Sequence, residues 1–496
     1  MPPVPGGRAA EQLRGVMMSI RKVALIEPKA SGVHIFTKFP LPRLGLPILG
    51  AILRRAGIAV TIYYQEASEL DWDDIVSSDL VGISSIITTA PIAYDILRQV
   101  KRRIDVPVVF GGPHNTFLPE EALEQGADYV VRGEGEETLP ELISCLDAGD
   151  NALLASVLGL SYLRDGEMHH NPDRPLAKSL SSFPWPDFSL IRDYRKTFVT
   201  PMLTSRGCPF DCNFCQVTKM FGRSYRFRST EDIIGEMRHL YGRDPRSTFF
   251  FYDDNFAASV KRTKELLQRM IQEHMTPRWT AMVRADVVKD AELMRLMRAS
   301  GCVYVYLGLE SINPETLIKY RKSQTIEDVT RAVDVFHDHH IRVHGMFIAG
   351  SDEDEPGTMM ETVRFARQTG IDTMHFTILT PMPGTEIFAQ MKAEDRIFDL
   401  NWEHYDGMHT VFYPHHMSPA YLQYTAIIGS MRKFYSVPHC LGMGLRLKFR
   451  VMLFRIYAHL TVRQWWKRNR QWLAELSERG QGEHLEQDPE APALSV

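Results

Sequence analysis

Thr204–Arg228, TSRGCPFDCNFCQVTKMFGRSYRFR, decides how this chain is read. It holds Cys208, Cys212 and Cys215 in a C-x3-C-x2-C pattern, three of only six cysteines in 496 residues. Thiols at that density bind zinc or an iron–sulfur cluster. A closed structural zinc site takes four protein ligands, and the segment supplies three. No histidine falls between His170 and His239, and Cys145, Cys302 and Cys440 are far away in sequence. The simpler reading is a [4Fe–4S] cluster with one iron open to a small molecule. The alternative is a zinc ion whose fourth ligand arrives through folding.

With Gly207-Cys208-Pro209 in front and Phe214 before the last cysteine, the motif resembles the radical S-adenosylmethionine (SAM) superfamily. The resemblance implies that SAM chelates the open iron. It also implies that an electron from the cluster, delivered by a donor such as flavodoxin or ferredoxin, cleaves SAM to a 5′-deoxyadenosyl radical.

The composition fits an ordinary multidomain globular protein, with 44% hydrophobic and 24% charged residues. A net charge of −4 argues against a whole-chain nucleic-acid binder. No run of 18 apolar residues reads as a membrane span, and MPPVPGGRAAEQLRG lacks the apolar core of a secretory signal. Scattered cysteines and an oxygen-sensitive cluster point to a reducing, cytoplasmic setting. Residues 1–20 read as a disordered extension.

Residues 21–150 alternate strands and helices. Apolar runs at Lys22–Pro28, Ala59–Tyr64, Asp79–Ile87, Val106–Gly112 and Ala127–Glu136 predict a doubly wound α/β domain of Rossmann or flavodoxin type. Ligands of such a sheet sit at the carboxyl ends of its strands. There the sequence offers Ser84 and Ser85, Gly111 and Gly112, and Gly133, Glu134 and Gly135. Taken alone these could be tight turns. Beside the cysteine motif, the series GGPHNTFLPEEAL to ADYVVRGEGEETLPEL resembles the cobalamin (B12)-binding domain of B12-dependent radical SAM enzymes, and the resemblance makes those seven residues cobalamin contacts. The D-x-H-x-x-G signature of methionine-synthase-type domains is absent, so the resemblance implies a cobalamin without a histidine below it. His114 reads as a loop histidine.

Residues 151–196 read as a linker. From 197 to 394, six strand-then-helix repeats match the partial (β/α)6 barrel of the same family, α/β throughout, with its site at the strand ends. Tyr252 and Asp254, Arg284, Glu310 and Ser311, and Gly350 close successive strands. The resemblance assigns SAM contact to these and to Phe214, and leaves the catalytic residue unassigned. An N-cap role for Asp254 or Ser311 is the plainer alternative. Cys302 reads as a buried core cysteine.

Residues 395–475 read as helical, and between Leu441 and Ala474 there is no acidic residue. Leu445–Leu473 is expected to be a basic helix with Trp465 and Trp466, a pattern of membrane-surface elements. Packing on the barrel with a solvated basic face is the alternative. Residues 476–496 read as a disordered acidic tail.

The resemblance, over about residues 20–435, implies a cobalamin-dependent radical SAM enzyme that methylates an unactivated carbon of a small, hydrophobic or lipid substrate. Relatives of this layout also include hopanoid methylases and oxidative cyclases of bacteriochlorophyll synthesis. Methylthiolation is disfavoured, because it needs three N-terminal cysteines and only Cys145 is present. A non-catalytic scaffold that keeps the cluster is the reading from another class.

Overall fold

The computed structural model describes residues 20–30, 32, 41–150, 152–194, 199–244, 246–436 and 449–479. The expectations for 1–19, 445–448 and 480–496 lie outside the described residues. Two compact units result, one carrying a seven-stranded sheet and the other a six-stranded sheet.

In the first unit, strands β1 (Lys22–Glu27), β2 (Ala59–Tyr64), β3 (Leu80–Ser84), β4 (Val108–Gly111) and β5 (Tyr129–Val131) are parallel in the order β2-β1-β3-β4-β5. That is the flavodoxin-like order, whose ligand crevice lies beside the β1/β3 switch point. The strands are continuous apolar runs because helices cover both faces. Val23, Leu25, Leu80 and Val109 join Leu46, Leu53, Leu139 and Leu142 in one buried cluster.

Within the residues expected to be linker, β6 (Leu160–Arg164) and β7 (Glu167–His170) form an antiparallel hairpin that extends this sheet. Its turn, Asp165-Gly166, has φ of 53° and 82°, as the mirror-image hairpin turn requires. β7 is mostly exposed, so it carries no apolar run to announce it.

The second unit is built on β8 (Val199–Met202), β11 (Thr248–Phe251), β12 (Trp279–Val283), β13 (Cys302–Glu310), β14 (Arg342–Ala349) and β15 (Thr373–Ile378), all parallel in chain order. Two short antiparallel strands, β9 (Ser205–Arg206) and β10 (Arg226–Phe227), stand apart. These are the six expected strands of a partial barrel. Alternate residues divide between its faces. Phe249, Phe251, Val305, Leu307 and Phe347 are fully buried, while Phe250, Met282, Tyr306, Met346 and His375 on the other face are half-buried.

The C-terminal region is helical as expected. The long basic element is a helix from Phe449 to Arg468, followed by another from Arg470 to Arg479. The tryptophan pair is split: Trp465 is 1% exposed and Trp466 is 41% exposed. Trp465→Ala is therefore expected to lower stability by about 3–5 kcal/mol and Trp466→Ala by less than about 0.5 kcal/mol, measured by urea unfolding.

Candidate functional site

The cysteine loop is fixed at its base. β9 and β10 pair at residues 205–206 and 226–227, so the chain leaves and returns at one place. Gly207 opens the loop with φ +83°, and a β-carbon there would lie 2.6 Å from the Ser224 carbonyl oxygen, so only glycine fits. Beneath it lies Asp253, fully buried just past β11. Its carboxylate accepts the N–H of Thr204 at 2.6 Å, the N–H of Ser205 at 3.0 Å and the Thr204 hydroxyl. Burial pushes the Asp253 carboxyl up, against the pull of Arg262 and these donors.

The rest of the loop is tied to strand ends. The Arg284 guanidinium lies 3.8 Å from the centroid of the Phe210 ring. Arg321 reaches Asp211 at 3.4 Å and Glu386 at 2.6 Å. Phe214 packs on Tyr320 with ring centroids 4.9 Å apart, and Gln216 donates to the Pro383 carbonyl at 2.7 Å.

The three thiols are half-buried and free. Burial raises all three, Cys215 to about 12, while Lys322 and Arg284 pull Cys208 and Cys212 back. Thiols held this way deprotonate when a metal supplies the compensating charge. Among the described residues no group of His, Cys, Asp and Glu converges on a single ion. Three thiols on one loop, with no fourth ligand in the segment, suit a cluster in which each thiolate would take its own iron. The donor set fits a [4Fe–4S] cluster.

Around this loop the structure separates the residues expected to meet SAM. Asp254, half-buried and not a helix cap, has its carboxyl pushed up to about 7 by burial and then by Asp253. Tyr252, also half-buried, stands edge-on to Phe250 at 5.3 Å. Glu310 occupies a bulge at the end of β13 with φ +60°. It receives a 2.6 Å hydrogen bond from the Lys322 ammonium, and Gly308 makes room: a β-carbon there would lie 2.7 Å from the Glu310 carboxylate and 2.9 Å from Lys322 Nζ.

Ser311 accepts the Asn313 N–H at 3.0 Å in a local turn and is not the helix cap, because Asn313 caps the helix Pro314–Lys319 by accepting the Glu315 N–H. Arg284 turns toward Phe210 and donates to the Ser323 carbonyl at 3.3 Å. Gly350, φ +96°, is packed: a β-carbon would lie 2.7 Å from Leu422 and 3.1 Å from Phe412. Cys302 is fully buried, and burial raises its thiol. Sequence reasoning missed Lys322, Tyr320 and Arg321, which follow no periodic pattern.

The half-buried face of the barrel strands adds a row of rings. Phe250, Tyr306, His344 and His375 follow one another at centroid distances of 5.7, 5.2 and 4.9 Å. His344 Nε2 and His375 Nδ1 are 2.7 Å apart, and His344 Nδ1 meets the Thr373 hydroxyl at 2.7 Å. Burial, then His375, holds His344 well below its usual pKa, so it is neutral.

In the first unit the loops after β3, β4 and β5 come together. Gly112 has φ +92°, and a β-carbon there would lie 2.6 Å from the Ser85 carbonyl oxygen and 2.9 Å from Ser84 Oγ. Asn115 Nδ2 donates to Ser85 Oγ at 2.9 Å and to the Gly111 carbonyl at 2.6 Å. Gly133, φ +69°, donates its N–H to Thr116 Oγ1 and has open space where a side chain would stand. Glu134 accepts the Ala177 N–H at 3.1 Å, and Gly135 begins the helix Gly135–Ala148. Close loops beside an open glycine fit a large cofactor laid against backbone. His114 is not an open loop histidine. It is 2% exposed in the short helix Pro113–Phe117, with Nε2 3.1 Å from the Tyr94 hydroxyl.

Residues 202–366 match the Radical SAM superfamily pattern, and residues 33–143 match the B12 binding domain. An uncharacterized methyltransferase of Pyrococcus horikoshii is 33% identical over 402 residues, 78% of this chain and 87% of that protein. The chain belongs to the cobalamin-binding radical SAM enzymes. Bacteriochlorophyllide d C-12(1)-methyltransferase of Chlorobaculum tepidum is 30% identical, covering 82% of this chain and 85% of that protein. The radical SAM methyltransferase TsrM of Kitasatospora setae, solved with cobalamin and a [4Fe–4S] cluster, shares the fold at a TM-score of 0.64 and 21% identity, over 76% of this chain and 75% of that one.

This radical SAM protein is thus an enzyme whose cofactors are a [4Fe–4S] cluster, SAM and cobalamin, and the scaffold reading falls away. Two outcomes are expected of its site. The Asp254 carboxyl, raised from an ordinary 3.8 to about 7, contributes stability that is complete below pH 3.8 and lost as pH rises through about 7. Asp254→Asn is therefore expected to raise the melting temperature at pH 8 and leave it nearly unchanged at pH 4, read by calorimetry. With His114 engaged by Tyr94, Co(II)-cobalamin on the protein is expected to show no nitrogen superhyperfine splitting in paramagnetic resonance.

Proposed function

We propose that this enzyme is a cobalamin-dependent radical SAM C-methyltransferase acting on an unactivated carbon of a hydrophobic small molecule, a lipid or lipid-like secondary metabolite. The observation that carries the reading is the pairing, in one chain, of a three-thiol loop at the end of a partial barrel with a glycine-lined sheet end of B12-binding type. The methyltransferases among its relatives support the reaction class.

When bound, the cluster and SAM supply a carbon-centred radical oxidant, and cobalamin relays a methyl group. The chain's own residues orient these groups and exclude water. Cys208, Cys212 and Cys215 hold three irons and leave one open. Asp254 and Glu310 present carboxylates to the ammonium of SAM, while Tyr252, Phe214, Arg284, Ser311 and Gly350 complete the rim. Ser84, Ser85, Gly111, Gly112, Gly133, Glu134 and Gly135 line the cobalamin side.

The row from Phe250 to His375 gives an apolar substrate a surface to pack on, and the His344–His375 pair can hydrogen-bond a polar group at its edge. A flavodoxin or ferredoxin supplies the electron on the cytoplasmic side. No helix among the described residues is long and apolar enough to cross a membrane. A lipid substrate is then met by peripheral contact of the 445–473 region with the membrane surface.

Anaerobic reconstitution with SAM bearing a labelled methyl group, a reductant and a lipid extract tests the reading. The expected result is 5′-deoxyadenosine together with a labelled lipid. Deoxyadenosine with an oxidised, unlabelled product would instead indicate a cyclase, the activity named for a 28% identical relative in Rubrivivax gelatinosus. Cys208→Ala, Cys212→Ala and Cys215→Ala are each expected to abolish the visible absorbance of the cluster and all deoxyadenosine formation.

A further inference from the structure

Among its described side chains, the helix Phe449–Arg468 has two different faces, one buried and one about half exposed. Ala458, Thr461, Val462 and Trp465 point inward and are buried. Asn469, at the end of this face, closes the contact: its Oδ1 meets His409 Nε2 at 3.1 Å, and its Nδ2 donates to the Trp465 carbonyl at 3.0 Å. On the other face stand Ile456 and Leu460, with Trp466 at its margin beside the buried face; they are 42%, 51% and 41% exposed. Ile456, Leu460, Arg463 and Lys467 fall at i, i+4, i+7 and i+11, one continuous stripe, with Trp466 along its edge. Arg463, Lys467, Arg468 and Arg470 are exposed, and among the described residues none is ion-paired.

Three large apolar side chains left about half exposed, beside cations without an ion-pair partner among the described residues, are costly in water. The combination selects its partner. A protein groove that took the apolar groups would also need a matching array of acids, whereas the headgroup layer of an anionic bilayer offers negative charge everywhere and apolar depth beneath it. Tryptophan at the edge suits the headgroup boundary, and the long arginine and lysine side chains can lie over the apolar stripe with their charges in the headgroups. We propose that this outward face, Ile456, Leu460, Arg463, Trp466 and Lys467, docks the enzyme on the surface of an anionic lipid bilayer. It extends the proposed membrane contact to named residues, and it stands whether or not the methylation reading does.

The test is flotation of the full-length protein with vesicles of phosphatidylglycerol and phosphatidylcholine in equal parts, and with phosphatidylcholine alone. The expected result is flotation with the anionic vesicles at low salt, loss of it at high salt, and none with phosphatidylcholine alone. Leu460→Ser with Trp466→Ser, and separately Arg463→Glu with Lys467→Glu, are expected to reduce bound protein about tenfold with unchanged melting temperature. Cys208→Ala should float as the parent does, which separates failure of the surface from failure of the catalytic reading. Protein that stays at the bottom with anionic vesicles at low salt, or variants that float like the parent, would sink the proposal. So would flotation that appears only after residues 480–496 are removed, because that acidic segment would then be the occupant of the face.

Discussion

Asp253 is a fully buried carboxyl that receives two backbone N–H groups, a hydroxyl and the field of Arg262. A carboxylate taken out of water must find such partners, and here they belong to the first residues of the cysteine loop. The loop therefore starts from a fixed point at the end of β11. Its far side is fixed as well, by Arg284 on Phe210, Tyr320 on Phe214 and Arg321 on Asp211.

The neighbouring carboxylates have different fates because their partners differ. Asp253 spends its acceptor capacity inside the protein. Asp254 has no comparable donors, feels Asp253 beside it and titrates near neutrality. Glu310 is paired with Lys322 over Gly308, in a left-handed backbone conformation that costs free energy unless the surroundings fix it.

Much of the fold was legible because buried parallel strands are continuous apolar runs, as in Leu80–Ser84 and Thr248–Phe251. The hairpin at 160–170 was not, since an exposed edge strand such as Glu167–His170 has no apolar pattern; the Asp165-Gly166 turn was the available signal. At the site, cysteine spacing carried the motif, and strand ends carried Asp254 and Glu310. Lys322 could not be found in this way, because its partner lies across a helix and a turn. Gly350 carries two demands at once: a glycine at a strand end suggests a ligand, and Leu422 and Phe412 also leave no room for a side chain there.

A partial barrel leaves edge strands whose backbone groups must be satisfied. At β15 the C-terminal region does this. The Tyr435 hydroxyl donates to the Met374 carbonyl at 2.6 Å and accepts the Met374 N–H at 3.0 Å, and Ile378 donates to the Gly407 carbonyl at 2.7 Å. Trp465 lies on His409, ring centroids 5.2 Å apart, so the helix Phe449–Arg468 is held by its inner face to the segment that closes the sheet. Ile456, Leu460 and Trp466 are left about half exposed by that packing, and large apolar side chains left open beside cations invite a partner outside the chain.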